Sequence, residues 1–245
     1  MSRYVVADFE STMSGMIFSM SFMPVEIVVK KQWVSHGRNK TPEFWKNRQV
    51  TRGEMQTIFV QESLEQAPEN KIGRTIIHAK SARVLPFRQA LEQFIACVHE
   101  KGDGNWLAHS MDNELELVWK SDIIFGTRLF PKFLKAFPDV SVLKGWAEMA
   151  KICTQHLLTT RCPNFFRDYT AWMTMNGWVS TRFSSRLEDF VRFVKNDRDY
   201  RQKHLSTQDT LDLMEVLLWA DPPLDGKSYM ISTPVRDWMS ADIQT

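Results

Sequence analysis

The sequence lacks the features that mark secreted and membrane-embedded proteins. Its 245 residues include only three cysteines, and an odd number favours reduced thiols in a reducing compartment over a disulfide framework. No N-terminal stretch has the pattern of a signal peptide, and no apolar run approaches the roughly 20 residues that span a bilayer. We therefore expect a soluble intracellular protein, cytoplasmic or nuclear, that has no membrane partner.

Two common catalytic signatures and a strong charge imbalance are also missing. There is no glycine-rich loop that could cradle phosphates and no Gly-x-Ser-x-Gly turn that could present a serine nucleophile. The formal net charge of +2 is too small to indicate nucleic-acid binding by itself, so any basic surface must be local. A hydrophobic fraction of 43% and this chain length suit one large domain with a sizeable core.

Strand-like and helix-like patterns alternate along the chain. Apolar β-favouring stretches predict strands at Tyr4–Ala7, Met55–Val60, Trp106–His109 and Ile152–Leu158. Met16–Val29, interrupted by Pro24 and Glu26, predicts a second strand antiparallel to the first and then a bend or a third strand. Three- and four-residue apolar spacing predicts helices after Pro86, from Glu114, and over 165–178, 185–196 and 206–219. A polar, basic loop with a short helix at Glu43–Arg48 is expected within 36–53. This rhythm predicts an α/β domain over 1–220 with an irregular tail over 221–245.

The first candidate site lies at the end of the first predicted strand. Side chains of a strand alternate between its faces, so Asp8 and Glu10 point to one side and Phe9 to the other. Two carboxylates held side by side repel each other, and a divalent cation is the usual partner that makes such a pair favourable. A strand that simply runs out into solvent is the alternative, and this stretch alone leaves both open.

Acids and histidines also follow two later elements. The strand predicted to end at His109 is followed by Asp112 and Glu114, and His204 precedes the final predicted helix, whose first turn contains Asp209. An acid in the first turn also interacts favourably with the helix dipole, so Asp209 alone does not indicate a site.

The order of these motifs resembles that of the DEDDh 3′→5′ exonucleases, which have the ribonuclease H-like fold. Asp8-Phe9-Glu10-Ser11-Thr12 is close to the commonest form of the first motif of this family, and His204 and Asp209 match its third motif. The resemblance covers residues 4–218. It implies a ribonuclease H-like mixed sheet flanked by helices.

The middle motif departs from the family pattern. Members of the family often have a His-Asn pair after the strand and an aspartate five residues beyond the histidine. This chain has His109-Ser110 and, five residues beyond His109, Glu114. Glu114 is our first choice for the mid-chain acid because the following helical pattern fits its register, and Asp112 is the second.

The resemblance also implies a reaction, a cofactor and a substrate. Two Mg²⁺ or Mn²⁺ ions would be held by Asp8, Glu10, Asp209 and the mid-chain acid, and His204 would act as the general base that deprotonates the attacking water. The substrate would be a single-stranded or frayed 3′ end of DNA or RNA. The residues expected to contact it are Phe9, as a wedge against the terminal bases, Ser11, Thr12 and His109.

Other interpretations use some of the same residues. The departure at Glu114 favours a module of this fold that binds nucleic acid but is impaired in catalysis. A hydrolase of small nucleotides would need a closed pocket. Cys153, His156 and Cys162 hint at zinc but lack a fourth ligand. Residues 128–135 alternate basic and aromatic side chains, which predicts either a single-strand contact or an amphipathic helix.

Overall fold

A computed structural model describes residues 1–34, 43–64, 83–127, 129, 141–178 and 183–220. Seven strands of the described chain are β1 (Ser2–Ser11), β2 (Ile17–Val34), β3 (Glu43–Arg52), β4 (Gln56–Val60), β5 (Arg83–Leu85), β6 (Asn105–Ala108) and β7 (Ala150–Cys153). Its helices are α1 (Gln61–Leu64), α2 (Phe87–Gly102), α3 (Met111–Phe125), α4 (Ser141–Glu148), α5 (Thr154–Arg161), α6 (Pro163–Met175), α7 (Leu187–Lys195) and α8 (Ser206–Ala220). The predicted α/β class is confirmed.

The strands form one mixed sheet, in the order β5-β4-β2-β1-β6-β7 with β3 paired to β2. β2 runs antiparallel to β1, whereas β6 is parallel to β1 and β7 is parallel to β6. The carboxyl ends of β1, β6 and β7 therefore lie along one edge of the sheet. β6 ends at Ala108, and its pairing with β1 covers only Val5 and Val6, so Asp8 and Glu10 extend beyond the end of their neighbour.

The side chains of β1 alternate between the two faces of the sheet, and those on each face pack into a different hydrophobic cluster. Val5, Ala7 and Phe9 belong to a cluster with apolar residues of α2 and α3. Tyr4 and Val6 belong to a second cluster with apolar residues of α5 to α8. Because side chains two positions apart share a face, Asp8 and Glu10 lie on the side of β1 that α8 covers.

Buried hydroxyl groups attach the start of α8 to the sheet. The Ser206 hydroxyl lies 2.9 Å from that of Ser19 and 2.8 Å from that of Ser21. The Thr207 hydroxyl lies 3.1 Å from that of Ser21 and 3.0 Å from that of Thr57. In the β1–β2 register Ser19 and Ser21 stand opposite the two acids of β1. These bonds therefore hold the first turn of α8 over the acidic end of β1.

Several predicted elements have different bounds or types in the structure. The short helix expected at Glu43–Arg48 is wrong: these residues belong to β3, which pairs along its whole length with the extended outer part of β2. The strand expected over Ile152–Leu158 ends at Cys153, because β7 pairs only with the four residues of β6. The rest of that stretch belongs to α5.

The bend or third strand expected within Met16–Val29 is wrong, because β2 continues through Pro24 and Glu26 to Val34, paired first with β1 and then with β3. The remaining predicted strands and helices are present near their expected positions. The helix expected from Glu114 begins earlier, at Met111, because Ser110 adopts a left-handed φ of 53° and turns the chain directly out of β6. The tail over 221–245 and the basic-aromatic stretch over 128–135, except Leu129, lie outside the described residues. Of the described helices, none is both long and apolar enough to cross a membrane.

Gly102 lets the end of α2 approach β1 closely. A Cβ added to Gly102 would lie 2.9 Å from Val5 Cγ2 and 3.1 Å from the Val5 backbone nitrogen. We predict that Gly102→Ala lowers the free energy of unfolding by about 1–3 kcal/mol, measured by urea denaturation, because backbone must move to relieve the overlap. Alanine is the better helix former, so an increase in stability would show that this close approach is wrong. Lys101→Ala, at the exposed neighbouring position, is the control.

Candidate functional site

Four carboxylates from three elements meet at the carboxyl end of β1. Asp8 and Glu10 come from β1, Glu114 from the first turn of α3, and Asp209 from the first turn of α8. Their charges act on one another: those of Glu114, Asp209 and Glu10 all raise the pKa of Asp8. The acids that the sequence predicted to form a site are thus brought together, although they are distant along the chain.

Asp8 lies at the centre of this group. Burial is the largest cause that raises its pKa well above the ordinary value, and the charge of Glu114 is the next. Its Oδ2 atom is buried, and no donor in the described part of the chain reaches it. A buried carboxylate oxygen without a donor is unfavourable unless a proton or a cation occupies it.

The mid-chain acid of the site is Glu114, the first choice from the sequence. Its side chain is buried, whereas that of Asp112 is exposed. The backbone N–H of Phe9 donates a hydrogen bond to the Glu114 carboxylate and lowers its pKa, but burial and the charge of Glu10 outweigh this bond and raise the pKa. Its Oε2 atom has no hydrogen-bond partner among the described residues. The longer side chain of glutamate therefore still reaches the acids.

One carboxylate oxygen of Asp209 accepts a hydrogen bond, and in the described structure the other does not. Gln202 Nε2 donates to Oδ2 at 2.7 Å, while within the described ranges the buried Oδ1 has no partner. Burial raises the pKa of Asp209 to about 8, and the charges of Glu10 and Asp212 act in the same direction.

His204 completes the group at its exposed edge. One ring nitrogen of His204 and carboxylate oxygens of Glu10 and Asp209 all lie within 4.8 Å of one another. His204 has a left-handed φ of 51°, which is uncommon for a residue other than glycine. Two residues before His204, Gln202 is hydrogen-bonded to Asp209.

These residues fit a divalent cation. Three buried carboxylate oxygens, one each from Asp8, Glu114 and Asp209, lack donors among the described residues and belong to groups that repel one another. Hard oxygen donors suit Mg²⁺ or Mn²⁺. Bound cations would offset the repulsion and lower the raised pKa values of the acids.

Two of the predicted substrate contacts have other roles. Phe9 is 4% exposed, and its ring centroid lies 5.2 Å from that of Phe94, so its ring is not available to wedge a terminal base. His109 has both ring nitrogens engaged: Nε2 bonds with the Ser185 carbonyl at 2.9 Å and Nδ1 contacts the Thr154 hydroxyl at 3.3 Å. Burial lowers its pKa to about 4, so His109 is a neutral structural residue.

Ser11 is the last residue of β1, and Thr12 begins the turn between β1 and β2. Thr12 is buried, and its hydroxyl accepts a hydrogen bond from the Met16 backbone N–H at 3.2 Å. Ser11 follows an irregularity in the β1–β2 register directly after Glu10. The fully exposed side chain of this turn is that of Met13. Thr12 therefore holds the turn that follows Glu10 and Ser11, and Met13 is the apolar side chain exposed in that turn.

Residues outside the predicted motifs support the site. Gln202 and Tyr200 are hydrogen-bonded to carboxylates of α8, whereas the intervening Arg201 is exposed. The alternation of bonded and exposed residues over 200–203 is the signal in the sequence that could have indicated this support. Asp212, one turn after Asp209, is a second acid of α8 whose role the motif did not indicate.

The hint of zinc is not supported. Cys153 and Cys162 are buried and His156 is exposed. Among the described residues, one group brings three potential ligand atoms within 4.8 Å of one another. It consists of Glu10, His204 and Asp209 and includes neither cysteine nor His156.

No model of a known protein family matches the chain, and no curated protein matches it either.

The raised pKa values give a prediction for the metal-free protein. A carboxyl group whose pKa is higher in the folded than in the unfolded chain binds more protons when folded, so stability falls as the pH rises between the two values. For Asp209 this window runs from 3.8 to about 8. We expect the free energy of unfolding to fall across it, by at most about 1.4 kcal/mol per pH unit for each proton.

Urea denaturation at a series of pH values, with and without Mn²⁺, measures this effect. Asp209→Asn should reduce the slope, and Mn²⁺ should raise stability most at the alkaline end. Asp112→Asn, which changes an exposed acid of α3, should keep the slope of the unmodified protein. If Asp209→Asn leaves the slope unchanged, the acids of the site do not repel one another as described.

Proposed function

We propose that the protein is a metal-dependent 3′→5′ exonuclease of the DEDDh type. The observation that carries this proposal is the convergence of Asp8, Glu10, Glu114 and Asp209, with His204 at the exposed edge. Four carboxylates from three elements, three of them with an unpaired buried oxygen in the described structure, are costly to a protein that binds no cation.

The architecture is compatible with the ribonuclease H-like fold that the proposal requires. The first motif ends a strand that is paired on both sides in a mixed sheet. The mid-chain acid follows the neighbouring parallel strand, and the last motif opens a helix anchored to the sheet over that strand end. These positions give the three motifs a common meeting point.

The chemistry is phosphodiester hydrolysis. Asp8, Glu10, Glu114 and Asp209 would hold up to two Mg²⁺ or Mn²⁺ ions, which when bound lower the pKa of water and neutralise developing negative charge. His204, exposed and close to Glu10 and Asp209, can accept the proton of the attacking water. Gln202 donates to one oxygen of Asp209, and the other has no hydrogen-bond donor in the described structure.

The open edge suits the end of a polymer better than a small enclosed ligand. His204 and Lys203 are exposed there, and Met13 is exposed in the turn that follows the end of β1. Lys203 can contact a backbone phosphate, and Met13 presents an apolar side chain that can pack against a base. The substrate we propose is a single-stranded or frayed 3′ end of DNA or RNA.

A module that binds nucleic acid without cleaving it is the second candidate. The observation that favours it is Glu114, which adds a methylene where the family pattern has aspartate. A longer side chain can change the spacing of bound ions and so slow the chemistry while binding is kept. The two candidates differ in whether the nucleic acid is shortened.

Incubation with 3′- and 5′-labelled single-stranded DNA and RNA separates them. We expect progressive shortening from the 3′ end with Mg²⁺ or Mn²⁺ and none with EDTA. Asp8→Asn should reduce the rate by at least about 10³-fold, because it removes a charge at the centre of the site. Asp112→Asn, at an exposed position outside the group, is the matched control and should keep full activity. Retention of substrate without cleavage would favour the binding module.

His204 gives an independent test. As a general base it should contribute to the rate and not to metal affinity, so His204→Ala should lower the rate about 10²–10⁴-fold. Mn²⁺ affinity, measured by electron paramagnetic resonance, should stay within about threefold of that of the unmodified protein. His156→Ala, which changes an exposed histidine of α5, is the control. A large loss of Mn²⁺ affinity in His204→Ala would make His204 a ligand instead of a base.

A further inference from the structure

A hydrogen-bonded cluster beside the site joins α7, α8 and the loop between them. Its centre is Asp212, which is 1% exposed and lies one turn after Asp209. Lys195 Nζ and Gln208 Nε2 donate to Asp212 Oδ1 at 2.8 and 3.1 Å, and the Tyr200 hydroxyl donates to Oδ2. Both oxygens of Asp212 are therefore occupied, whereas Asp209 keeps an oxygen without a donor in the described structure. The two acids of α8 thus have different roles.

Tyr200 is held at its hydroxyl, its ring and its backbone. Besides the bond to Asp212, Lys195 Nζ lies 4.8 Å from the centroid of its ring, and Arg192 Nε donates to its carbonyl oxygen at 2.9 Å. Arg192 is itself buried and paired with Glu188 and with Asp189. Because burial and Asp212 raise the pKa of Tyr200, its hydroxyl stays protonated and remains a donor. Tyr200 is therefore a fixed point of the loop.

This fixed point lies four residues before His204. Between them, Gln202 is bonded to Asp209, while Arg201 and Lys203 are exposed. The segment from Tyr200 to His204 is thus attached to α8 at two alternate residues. The left-handed φ of 51° at His204 is a conformation that persists only where the surroundings hold it.

We propose that Tyr200 and Asp212 are positioning residues that set the place of His204 relative to Glu10 and Asp209. Neither contacts the reacting atoms, and both act through the backbone that leads to His204. The effect of these residues on the reaction rate rests on the proposed function, whereas their effect on the backbone conformation of His204 is independent of it.

The backbone order of His204 tests this inference without any enzymatic assay. In the unmodified protein we expect an ¹⁵N order parameter of about 0.85 for the His204 amide, as in a helix. Tyr200→Phe removes only the hydroxyl, and we expect the value to fall below about 0.6. Circular dichroism shows that the variant is folded. An order parameter below about 0.6 in the unmodified protein overturns the proposal without the need for a variant.

Tyr169→Phe is the matched control. Tyr169 is buried, and its hydroxyl donates a hydrogen bond to the Ser184 carbonyl oxygen at 2.6 Å. Unlike the Tyr200 hydroxyl, it forms no hydrogen bond in the described structure that ties the loop before His204 to α8. It should keep the order parameter of the unmodified protein. A folded Tyr200→Phe with an unchanged value, or an equal loss of order in Tyr169→Phe, overturns the positioning role.

Kinetics then links position to rate. If the proposed function holds, Tyr200→Phe should lower kcat about 10- to 100-fold with KM changed less than threefold, since misplacement of a base by about 1 Å has effects of this size. Asp212→Ala removes the acceptor of the Tyr200 hydroxyl and, once circular dichroism shows that the variant is folded, should lower kcat in the same way as Tyr200→Phe. If the unmodified protein cleaves no nucleic acid while the order of His204 still depends on Tyr200, the proposed function fails and the positioning role stands.

Discussion

Mutual repulsion among four carboxylates is the constraint on which the rest of the site depends. Asp8, Glu114 and Asp209 each have a raised pKa, and in each case burial is the first cause and neighbouring acids add to it. A fold that collects such groups must hold them against both the repulsion and the loss of hydration. The surrounding hydrogen bonds and packing can be understood as the means of doing so.

The groups that hold the four acids in place are backbone and side-chain groups of other residues. Phe9 supplies a backbone N–H to Glu114 because β1 extends beyond β6, and its ring anchors the same strand in the core on the opposite face. Ser206 and Thr207 attach α8 to β2 and β4 through hydroxyl groups that carry no charge. Neutral donors fix the elements without neutralising the acids, which leaves charge available for a cation.

The last segment of the site is attached differently. The loop before His204 is tied to α8 through Tyr200 and Gln202, which donate to Asp212 and Asp209. Both oxygens of Asp212 accept hydrogen bonds from the protein, whereas Asp209 Oδ1 has no donor in the described structure. Helix α8 therefore carries one carboxylate with a structural role, Asp212, and one that belongs to the site, Asp209. Lys195, at the end of α7, forms an ion pair with Asp212.

The sequence by itself determined the α/β class, most of the strands and helices, and Asp8, Glu10 and Asp209 as candidate acids of one site. Apolar periodicity and the residues of each motif are local properties of the chain, so both are visible without the fold. The sequence did not determine β3, whose pairing depends on the length of β2, nor the end of β7, which depends on its neighbour β6. Only the tertiary structure placed Glu114 inside the site and Asp112 outside it, since the start of α3 depends on the turn at Ser110. The core position of Phe9 and the support from Tyr200 and Asp212 also arise from contacts between distant segments, which no local pattern contains.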